Sequence, residues 1–337
     1  MIRDAIAALV EGRDLTEEEA AACMEEIMSG EATPAQFGAF VVALRLKGET
    51  VDEIAGMARV MREKALRVSV DGPLLDTCGT GGDAKGTFNV STAAAFVAAG
   101  AGARVAKHGN RAMTSACGSA DVLEALGVRI ELSPEGVAAC IGRAGFGFMF
   151  APAFHPAMRF AAGPRREIGV RTVFNILGPL TNPAGAQAQV LGVANAALGE
   201  KLAQVLARLG TKHALVVYGE DGLDEVSPSA TTQVWELNDG RVTNSTLRPS
   251  DLGLPTHSLD VLRGGSAEEN AEALRRVLSG EAGPLRDFTL LNAAAALVAA
   301  DLASDFREGL ALATQAIDSG SAREKLGAFV RVSNEVG

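Results

Sequence analysis

The chain has 337 residues, of which 47% are hydrophobic and 21% are charged, and its formal net charge is −10 at pH 7. Its length is that of about two domains of ~150 residues, and the hydrophobic fraction excludes a disordered polymer because it is large enough to build a core. The negative charge argues against a nucleic-acid-binding protein, which needs a positive face to displace counterions from phosphates, although local lysines and arginines can still bind a small anion.

The first 65 residues are predicted to be helical. Thr16 and Thr50 each precede a glutamate by three residues, which is the spacing of a capping box, and Thr33 directly precedes a proline. Apolar residues then recur at helical spacing. We therefore predict a small helical domain over residues 1–70, which ends where Asp71-Gly72-Pro73 breaks the pattern.

From residue 71 onward, short apolar runs alternate with helical stretches. Strands are predicted at residues 74–75, 104–106, 128–130, 146–150, 190–192 and 214–218, and helices at residues 91–99, at 122–126 and from Ser133 onward. After about residue 230 the strand signal weakens, and helices are predicted at residues 267–278, 289–303 and 308–318. The β-α alternation predicts a larger α/β domain over residues 71–337 with a mostly parallel central sheet, so the fold class is α/β.

The cysteines and the apolar segments indicate the compartment. Cys23, Cys78, Cys117 and Cys140 have no C-x-x-C spacing, so neither a zinc site nor a disulfide framework is predicted. The N-terminal residues are too charged for a signal peptide, and the apolar run at residues 93–102 is far shorter than the ~20 residues that span a bilayer. We expect a cytoplasmic protein without a membrane partner.

A glycine-rich loop follows the first predicted strand. Gly79-Thr80-Gly81-Gly82-Asp83 leads to Asn89-Val90-Ser91-Thr92, which opens the next helix. Glycines let the backbone approach a ligand closely, and the unpaired N–H groups at a helix start attract phosphate. The hydroxyls of Ser91 and Thr92 can donate to phosphate oxygens or ligate a metal. The alternative is an ordinary βα turn in which Ser91 only caps the helix.

Two common phosphate motifs fit this loop poorly. The Walker pattern fails because Thr87 stands where a lysine is required. The dinucleotide pattern is formally met from Gly79 onward, but an NAD site needs an acidic residue about 20 residues later. In that region the chain has Lys107, which suits a phosphate better than a ribose diol. An NAD-binding module stays a weaker alternative.

A basic segment follows the next predicted strand. Lys107-His108-Gly109-Asn110-Arg111 lies at the carboxyl edge of the sheet, where α/β proteins usually bind ligands. The run from Ala112 to Ser119 is small and rich in hydroxyl groups, which suits a polar ligand. Arg111 can hold a phosphate through two hydrogen bonds, whereas Lys107 acts as a point charge. The alternative is a solvated surface loop.

An acidic pair, Asp224-Glu225, lies shortly after the strand predicted at residues 214–218. Adjacent carboxylates near a strand end are typical ligands of Mg²⁺, which keeps several waters and shares substrate phosphate oxygens. The alternative is an exposed acidic loop in an acidic protein. No nucleophile stands in a G-x-S-x-G elbow, so nothing in the sequence requires a histidine-based triad.

Taken together, these segments resemble the anthranilate phosphoribosyltransferase family over nearly the whole chain. Besides the glycine loop, the basic segment and the acidic pair, the resemblance includes the following stretches, in the family's order: residues 118–127, 155–158, 169–175 and 178–183. One glycine loop would be a weak signal, whereas this ordered set is highly specific.

The resemblance implies a nucleoside phosphorylase/phosphoribosyltransferase-like fold. Such a fold has a small N-terminal helical domain, joined by a segment near residues 165–185, and a larger α/β domain, with the active site at the hinge. The family usually forms homodimers through the helical domain. Its reaction joins anthranilate to 5-phosphoribosyl 1-pyrophosphate with Mg²⁺ and gives N-(5-phosphoribosyl)anthranilate and pyrophosphate, the second step of tryptophan synthesis from chorismate.

The resemblance also assigns roles to residues. The phosphoribosyl pyrophosphate site would consist of Gly79, Gly82, Asp83, Thr87, Asn89, Val90, Ser91, Thr92, Lys107, His108, Gly109, Asn110, Arg111, Ala112, Met113, Thr114, Ser115 and Ser119. Anthranilate would face Gly79, Asn110 and Arg165, and Mg²⁺ would bind Ser91, Asp224 and Glu225. No catalytic residue is obligatory, with His108 as an assistant. Alternatives are a pyrimidine nucleoside phosphorylase, which shares the fold, and a non-catalytic nucleic-acid-binding relative.

Overall fold

The computed structural model describes residues 1–112 and 116–337. Four helices open the chain: α1 (Ile2–Val10), α2 (Glu17–Ser29), α3 (Pro34–Lys47) and α4 (Val51–Lys64). The predicted caps of α2, α3 and α4 are confirmed. In each, the threonine oxygen accepts from the N–H three residues later, and the side chain of that residue accepts from the threonine N–H.

Seven strands form one sheet in the order β3-β2-β1-β4-β5-β6-β7. They are β1 (Leu75–Gly79), β2 (Val105–Gly109), β3 (Phe146–Phe150), β4 (Ala188–Gly192), β5 (His213–Gly219), β6 (Thr232–Asn238) and β7 (Arg241–Leu247). The neighbours from β3 to β5 pair in parallel, whereas β5 with β6 and β6 with β7 pair antiparallel. The prediction of a mostly parallel sheet is confirmed.

Further helices follow the first strand along the chain. They are α5 (Val90–Gly100), α6 (Ser119–Ala125), α7 (Pro134–Ala144), α8 (Ala151–Phe154), α9 (Arg159–Ile168), α10 (Phe174–Leu177), α11 (Gly199–Arg208), α12 (Ala267–Leu278), α13 (Pro284–Ala299), α14 (Phe306–Asp318) and α15 (Ser321–Val336). Every residue of α13 from Phe288 to its end is buried, because α13 packs against both the sheet and α5. The small alanines of α5 and α13 allow this close approach.

Two hydrophobic clusters form the interior. The larger one joins α5, α7, α12, α13 and α15 to the sheet. The second joins the four N-terminal helices to α11 and to residues that follow much later in the chain, including Ala161, Phe174 and Leu180. The segment from α9 to residue 180 therefore packs on the N-terminal helices, although about 100 residues separate them in sequence. Among the described residues, no helix has the length and apolar character that crossing a membrane requires.

One sequence expectation is wrong, and two elements of the structure have no counterpart among the predictions. Residues 128–130 do not form a strand, because the N–H of Arg129 donates to the Ser333 hydroxyl of α15 at 3.2 Å instead of to a neighbouring strand. The hairpin of β6 and β7 was not predicted, since β7 is largely exposed and polar. Its turn residues Asp239 and Gly240 both have positive φ, and this Asp-Gly pair was the available signal. Helix α15 was also not predicted.

Candidate active site

The sheet changes its direction of strand addition between β1 and β4. The chain runs outward from β1 through β2 to β3 on one side, and from β4 to β5 on the other. In the register of these two strands, Gly79 pairs with Gly192 at the carboxyl ends. Open α/β sheets bind ligands in the crevice outside such a switch point. The acidic pair and most of the glycine loop follow strands that end at this edge. The basic segment was predicted to follow its strand, but Lys107, His108 and Gly109 lie within β2 itself, and only Asn110 and Arg111 follow it.

The acidic pair folds directly over this switch point. The N–H of Gly81 donates to Asp224 Oδ2 at 2.8 Å, and Thr80 N–H donates to the Gly192 carbonyl at 2.9 Å. A Cβ at Gly79 would lie 2.4 Å from Asp224 Oδ2, and one at Gly192 would lie 1.5 Å from the Asp224 carbonyl oxygen. Glycine at both positions therefore allows Asp224 to lie between the ends of β1 and β4.

The rest of the glycine loop is held by a distant segment. Phe88 N–H donates to the Leu262 carbonyl at 3.0 Å, Gly264 N–H donates to the Gly86 carbonyl at 2.9 Å, and Thr87 forms a β-bridge between these contacts. Asp83 is half-buried, and burial raises the pKa of its carboxyl. Residues 86–88 are thus held by residues 262–264, whereas Gly79 and Gly81 contact Asp224.

Helix α5 starts at the end of this loop. Asn89 is the N-cap, and Ser91 and Thr92 lie in the first turn, so the alternative in which Ser91 caps the helix is wrong. Asn89 Nδ2 donates to the Cys117 carbonyl at 3.1 Å. The side chain of Val90 belongs to the core. The Thr92 hydroxyl is buried without a hydrogen-bond partner in the described part of the chain, so its hydrogen-bonding capacity is not met within the protein.

Lys107 enters this region from β2 and is almost completely buried. Its Nζ donates to the carbonyl of Thr77 and lies 3.3 Å from the hydroxyls of both Thr77 and Ser91. Burial lowers the pKa of Lys107, and the negative charge of Asp76 opposes this shift. The ammonium group is therefore held beside the start of α5, where a phosphate is expected.

His108 and His155 form a buried pair with ring centroids 5.0 Å apart. Burial lowers the pKa of His108 to about 3 and that of His155 to about 4, so both rings are neutral at pH 7. The Nε2 atom of each ring has no hydrogen-bond partner among the described residues. A conjugate acid with a pKa of about 3 makes His108 a weak base, so the site is not built around strong proton abstraction.

The end of the basic segment is more exposed. Arg111 forms ion pairs with Asp121 at 3.0 Å and with Glu124, and its guanidinium lies 5.5 Å from the ring centre of Phe150. Its charge is therefore largely compensated within the protein. Ser119 Oγ donates to the Asn110 carbonyl at 3.3 Å.

Asp121 also shapes the neighbouring backbone. Its Oδ2 accepts from the N–H of Ala112 at 3.0 Å. Nearby, a Cβ on Gly109 would lie 2.2 Å from Ser119 Oγ, so Gly109 allows Ser119 to approach β2 closely. The predicted ligands Met113, Thr114 and Ser115 lie outside the described residues.

The acidic pair is an unfavourable place for negative charge. Burial and the nearby Asp83 raise the pKa of Asp224 to about 6, and burial and Asp224 raise the pKa of Glu225 well above its ordinary value. Glu225 lines a small cavity together with Ser91 and Asn292. The structure thus brings Ser91 and Glu225 to one cavity from opposite halves of the chain.

These donors suit a cation that keeps other ligands. The part of the chain that the structure describes has no group of three or more His, Cys, Asp or Glu side chains preformed for a metal ion. A cation here would need further ligands such as a serine hydroxyl, water and substrate oxygens, which is the usual shell of Mg²⁺. Clustered carboxylates with raised pKa values fit such an ion because a positive charge would relieve their repulsion.

Arg165 lies on α9, outside the contacts of the glycine loop. Its guanidinium is 5.3 Å from the ring centre of Phe174, and burial lowers its pKa. The guanidinium has no hydrogen-bond or ion-pair partner among the described residues, so its N–H donors are unpaired there. The Arg165 side chain is half-buried and not freely exposed at the surface. Six residues later, Arg171 does contact the glycine loop.

Sequence reasoning missed several supporting residues. Asp76 is buried on β1, accepts from Asn182 Nδ2 at 2.8 Å and from the N–H of His108 at 3.2 Å, and supplies charge beside Lys107. Asn292 is a buried amide within the alanine-rich helix α13. A polar residue in an otherwise apolar run was the available signal, because buried amides occur where they are hydrogen-bonded.

The chain is similar to known proteins over nearly its full length. The model described as "Glycosyl transferase family, a/b domain" matches residues 71–323, and that described as "Glycosyl transferase family, helical bundle domain" matches residues 3–65. The anthranilate phosphoribosyltransferase of Chloroflexus aurantiacus is 63% identical over 334 residues, which are 98% of this chain and 98% of that protein.

Two solved structures extend the comparison. The anthranilate phosphoribosyltransferase of Thermus thermophilus has a TM-score of 0.93 and 49% identity, and covers 98% of this chain and 99% of its own. The enzyme of Saccharomyces cerevisiae in complex with PRPP and Mg has a TM-score of 0.92 and 30% identity, and covers 99% of this chain and 98% of its own. These similarities establish the family.

Proposed function

The chain belongs to the anthranilate phosphoribosyltransferase family, and from this membership we propose how its residues transfer the phosphoribosyl group of 5-phosphoribosyl 1-pyrophosphate to anthranilate. One observation carries the assignment of residues. The glycine loop, the buried Lys107, Ser91 at the start of α5 and the pair Asp224-Glu225 meet at the switch point of the sheet. This combination offers N–H groups, a cation and carboxylates to a phosphorylated sugar.

The pyrophosphate and ribose would bind along the glycine loop and the start of α5. Backbone N–H groups and the helix dipole favour an anion there, and Lys107 adds a desolvated positive charge. The hydroxyls of Ser91 and Thr92 supply further donors. We assign the same set to this subsite as the family resemblance does: Gly79, Gly82, Asp83, Thr87, Asn89, Val90, Ser91, Thr92, the segment 107–115 and Ser119.

Mg²⁺ would be held by Ser91, Asp224 and Glu225. The support is the donor chemistry, the shared cavity of Ser91 and Glu225, and the repulsion that raises both carboxyl pKa values. A relative from Saccharomyces cerevisiae is described as a complex with PRPP and Mg. When bound, Mg²⁺ would neutralise the charge that develops on the pyrophosphate leaving group.

Anthranilate would lie between Gly79, Asn110 and Arg165. The unpaired, half-buried guanidinium of Arg165 matches a benzoate carboxylate, which accepts two parallel hydrogen bonds. The yeast relative also has a structure in complex with 4-fluoroanthranilate. Hinge movement of α9 and the N-terminal helices toward the sheet would bring Arg165 to the sugar and exclude water.

In the reaction, the bond between the ribose C1 and the pyrophosphate oxygen breaks while the bond from C1 to the anthranilate nitrogen forms. Both electrons of the breaking bond leave with pyrophosphate, so C1 acquires oxocarbenium character, and the neutral aniline nitrogen attacks from the opposite face. The nitrogen then loses a proton to water or to the departing pyrophosphate. Orientation and fixed positive charge contribute most of the catalysis, since His108 is a weak base.

We also propose the organisation of the molecule in the cell. Residues 1–70 with the segment 165–185 would form the helical domain and residues 71–337 the α/β domain, supported by the cluster that joins Phe174 and Leu180 to the N-terminal helices. A homodimer would form through the helical domain, where Val10 and Leu46 are exposed apolar side chains. The enzyme would act in the cytoplasm, where its four cysteines stay reduced.

The test of this function follows the fluorescence of anthranilate after addition of purified protein, phosphoribosyl pyrophosphate and Mg²⁺, with a chelator control. We expect the fluorescence to fall only when all three components are present. No loss with folded protein and verified substrates would contradict the proposal. Activity with thymidine and phosphate instead would assign the chain to pyrimidine nucleoside phosphorylase chemistry.

A further inference from the structure

Arg171 connects the segment after α9 to the glycine loop. Its Nη2 donates to the carbonyl of Gly81 at 2.8 Å and to the carbonyl of Thr80 at 3.2 Å. The carbonyl of Arg171 itself accepts a hydrogen bond from Arg45 of α3. The guanidinium therefore reaches the loop from a backbone that is tied to the N-terminal helices.

These two hydrogen bonds orient two successive peptide groups. In a planar trans peptide, the carbonyl of one residue and the N–H of the next point in opposite directions. The carbonyl of Thr80 faces Arg171, and the N–H of Gly81 accordingly points the other way, where it donates to Asp224 Oδ2. By the same geometry the N–H of Gly82 points away from the guanidinium. It has no hydrogen-bond partner among the described residues, so it is free to bind an anion.

Gly82 is also required for this arrangement. Its φ is +85°, and a Cβ at this position would lie 1.8 Å from Nη1 of Arg171. A side chain here would displace the guanidinium, so the loop and the arginine fit each other only when residue 82 is glycine. The close packing indicates a specific contact, although part of the Arg171 side chain is exposed.

We propose that Arg171 is a positioning residue that holds the Thr80 and Gly81 carbonyls on one side of the loop, so that the Gly82 N–H is presented to the pyrophosphate of the sugar substrate. This role rests on the proposed pyrophosphate subsite. Arg171 acts through the backbone and does not itself bind the substrate. A preoriented N–H binds an anion more tightly than one that has to reorient, because the ordering is complete before binding.

The experiment compares Arg171→Met, which has no donor, with the conservative variant Arg171→Lys. Arg166→Met serves as the matched control, since Arg166 is exposed at the end of α9 and has no described partner. Calorimetry gives the dissociation constant of pyrophosphate in the presence of Mg²⁺, steady-state kinetics gives both KM values, and thermal unfolding checks the fold. Hydrogen exchange measures the protection of residues 80–83.

We expect Arg171→Met to raise the pyrophosphate Kd and the KM of the sugar substrate about tenfold. The KM of anthranilate should stay within about twofold, the loop amides should exchange faster, and Arg171→Lys should give an intermediate Kd. Arg166→Met should resemble the wild type. If Arg171→Met does not fold, Arg171→Lys decides the question through its Kd at unchanged Tm.

Equal pyrophosphate affinities in folded Arg171→Met and Arg166→Met would overturn the proposal, as would equal increases of both KM values. Wild-type protein that binds pyrophosphate but does not consume anthranilate would overturn the proposed function alone, and the Kd comparison would still decide the role of Arg171. Wild-type protein that binds no pyrophosphate would overturn both.

Discussion

The side-chain amide of Asn292 clamps the backbone of Val226, accepting from its N–H at 2.9 Å and donating to its carbonyl at 3.0 Å. Val226 directly follows Glu225, so this double hydrogen bond fixes the acidic pair to helix α13. Asn292 Nδ2 also donates to the carbonyl of Phe288 at 3.0 Å, which holds the amide in place. The position of Glu225 therefore depends on a helix residue that lies 66 positions after Val226 in the chain.

Replacing this clamp should weaken the use of Mg²⁺. Asn292→Leu leaves the N–H and the carbonyl of Val226 buried without partners, so we expect the free energy of unfolding to fall by about 1–3 kcal/mol. The Mg²⁺ concentration for half-maximal activity should rise about fivefold because Glu225 is no longer held. Asn334→Leu is the control, since Asn334 also donates to two carbonyls but lies on the surface. Identical Mg²⁺ titrations for the two variants would contradict the positioning role.

Removing the charge of the acidic pair should affect turnover more directly. Asp224→Asn and Glu225→Gln keep the shape of the side chains, and we expect each to reduce kcat by at least about tenfold and to raise the Mg²⁺ requirement. Glu220→Gln, at an exposed position on the same loop, should behave like the wild type. The measurement is the rate of anthranilate consumption over a range of Mg²⁺ concentrations. Unchanged kinetics in both variants would eliminate this metal assignment.

Arg165 should affect one substrate more than the other. Arg165→Ala removes a charge-assisted donor pair worth ~1.5–3 kcal/mol, so the KM of anthranilate should rise about 10–100-fold. The KM of the sugar substrate should change far less. Arg166→Ala, with its exposed side chain, serves as the control. If Arg165→Ala raised both KM values equally, the arginine would have a general structural role.

Variants of Lys107 and Asp76 should distinguish an effect on the stability of the fold from an effect on substrate binding. Lys107→Met leaves the Thr77 carbonyl without its donor and the buried Asp76 without its nearby positive charge, and we expect the free energy of unfolding to fall by about 1–3 kcal/mol. Adding Asp76→Asn removes the uncompensated charge but leaves either Asn182 Nδ2 or the His108 N–H without an acceptor, so it should restore only part of that loss. The KM of the sugar substrate should be higher than that of the wild type in both the single and the double variant, because both lack the Lys107 ammonium group. Recovery of that KM in the double variant would show that Lys107 does not bind the substrate.

The buried histidines should make the fold sensitive to acid. The pKa values of about 3 for His108 and about 4 for His155 lie below the ordinary value of 6.5. As pH falls below 6.5, the unfolded chain takes up protons at these two positions that the folded protein does not, so the two histidines contribute a loss of stability down to about pH 4, which the raised pKa values of Asp224 and Glu225 oppose. Each histidine contributes a slope of up to ~1.4 kcal/mol per pH unit.

Urea unfolding at about pH 6.5, 5.5 and 4.5 measures this slope. His155→Gln should reduce it by the contribution of one histidine, and the double variant with His108→Gln should reduce it by about twice as much. Slopes that match the wild type in both variants would mean that the pKa values of the two rings do not differ between the folded and the unfolded protein.

Much of the local structure follows from the sequence because its causes lie within a few residues. The side chains of Thr16 and Glu19 satisfy each other's N–H groups across one turn, so the start of α2 is readable without any tertiary information. The glycine loop, the basic segment and the acidic pair are likewise contiguous, and their residue types indicate phosphate and cation chemistry. Strand β7 carries no apolar alternation, and its pairing with β6 depends on the tertiary sheet.

The chemical groups of the site and their order along the chain can be read without coordinates. Three-dimensional folding is needed to see that Asp224 lies between Gly79 and Gly192, that Asn292 holds the residue after Glu225, and that Arg171 reaches the glycine loop. These contacts join residues between 32 and 145 positions apart, and no local propensity encodes them. They arise because the parallel strands place their carboxyl ends at one edge, where buried polar groups must find partners across the chain.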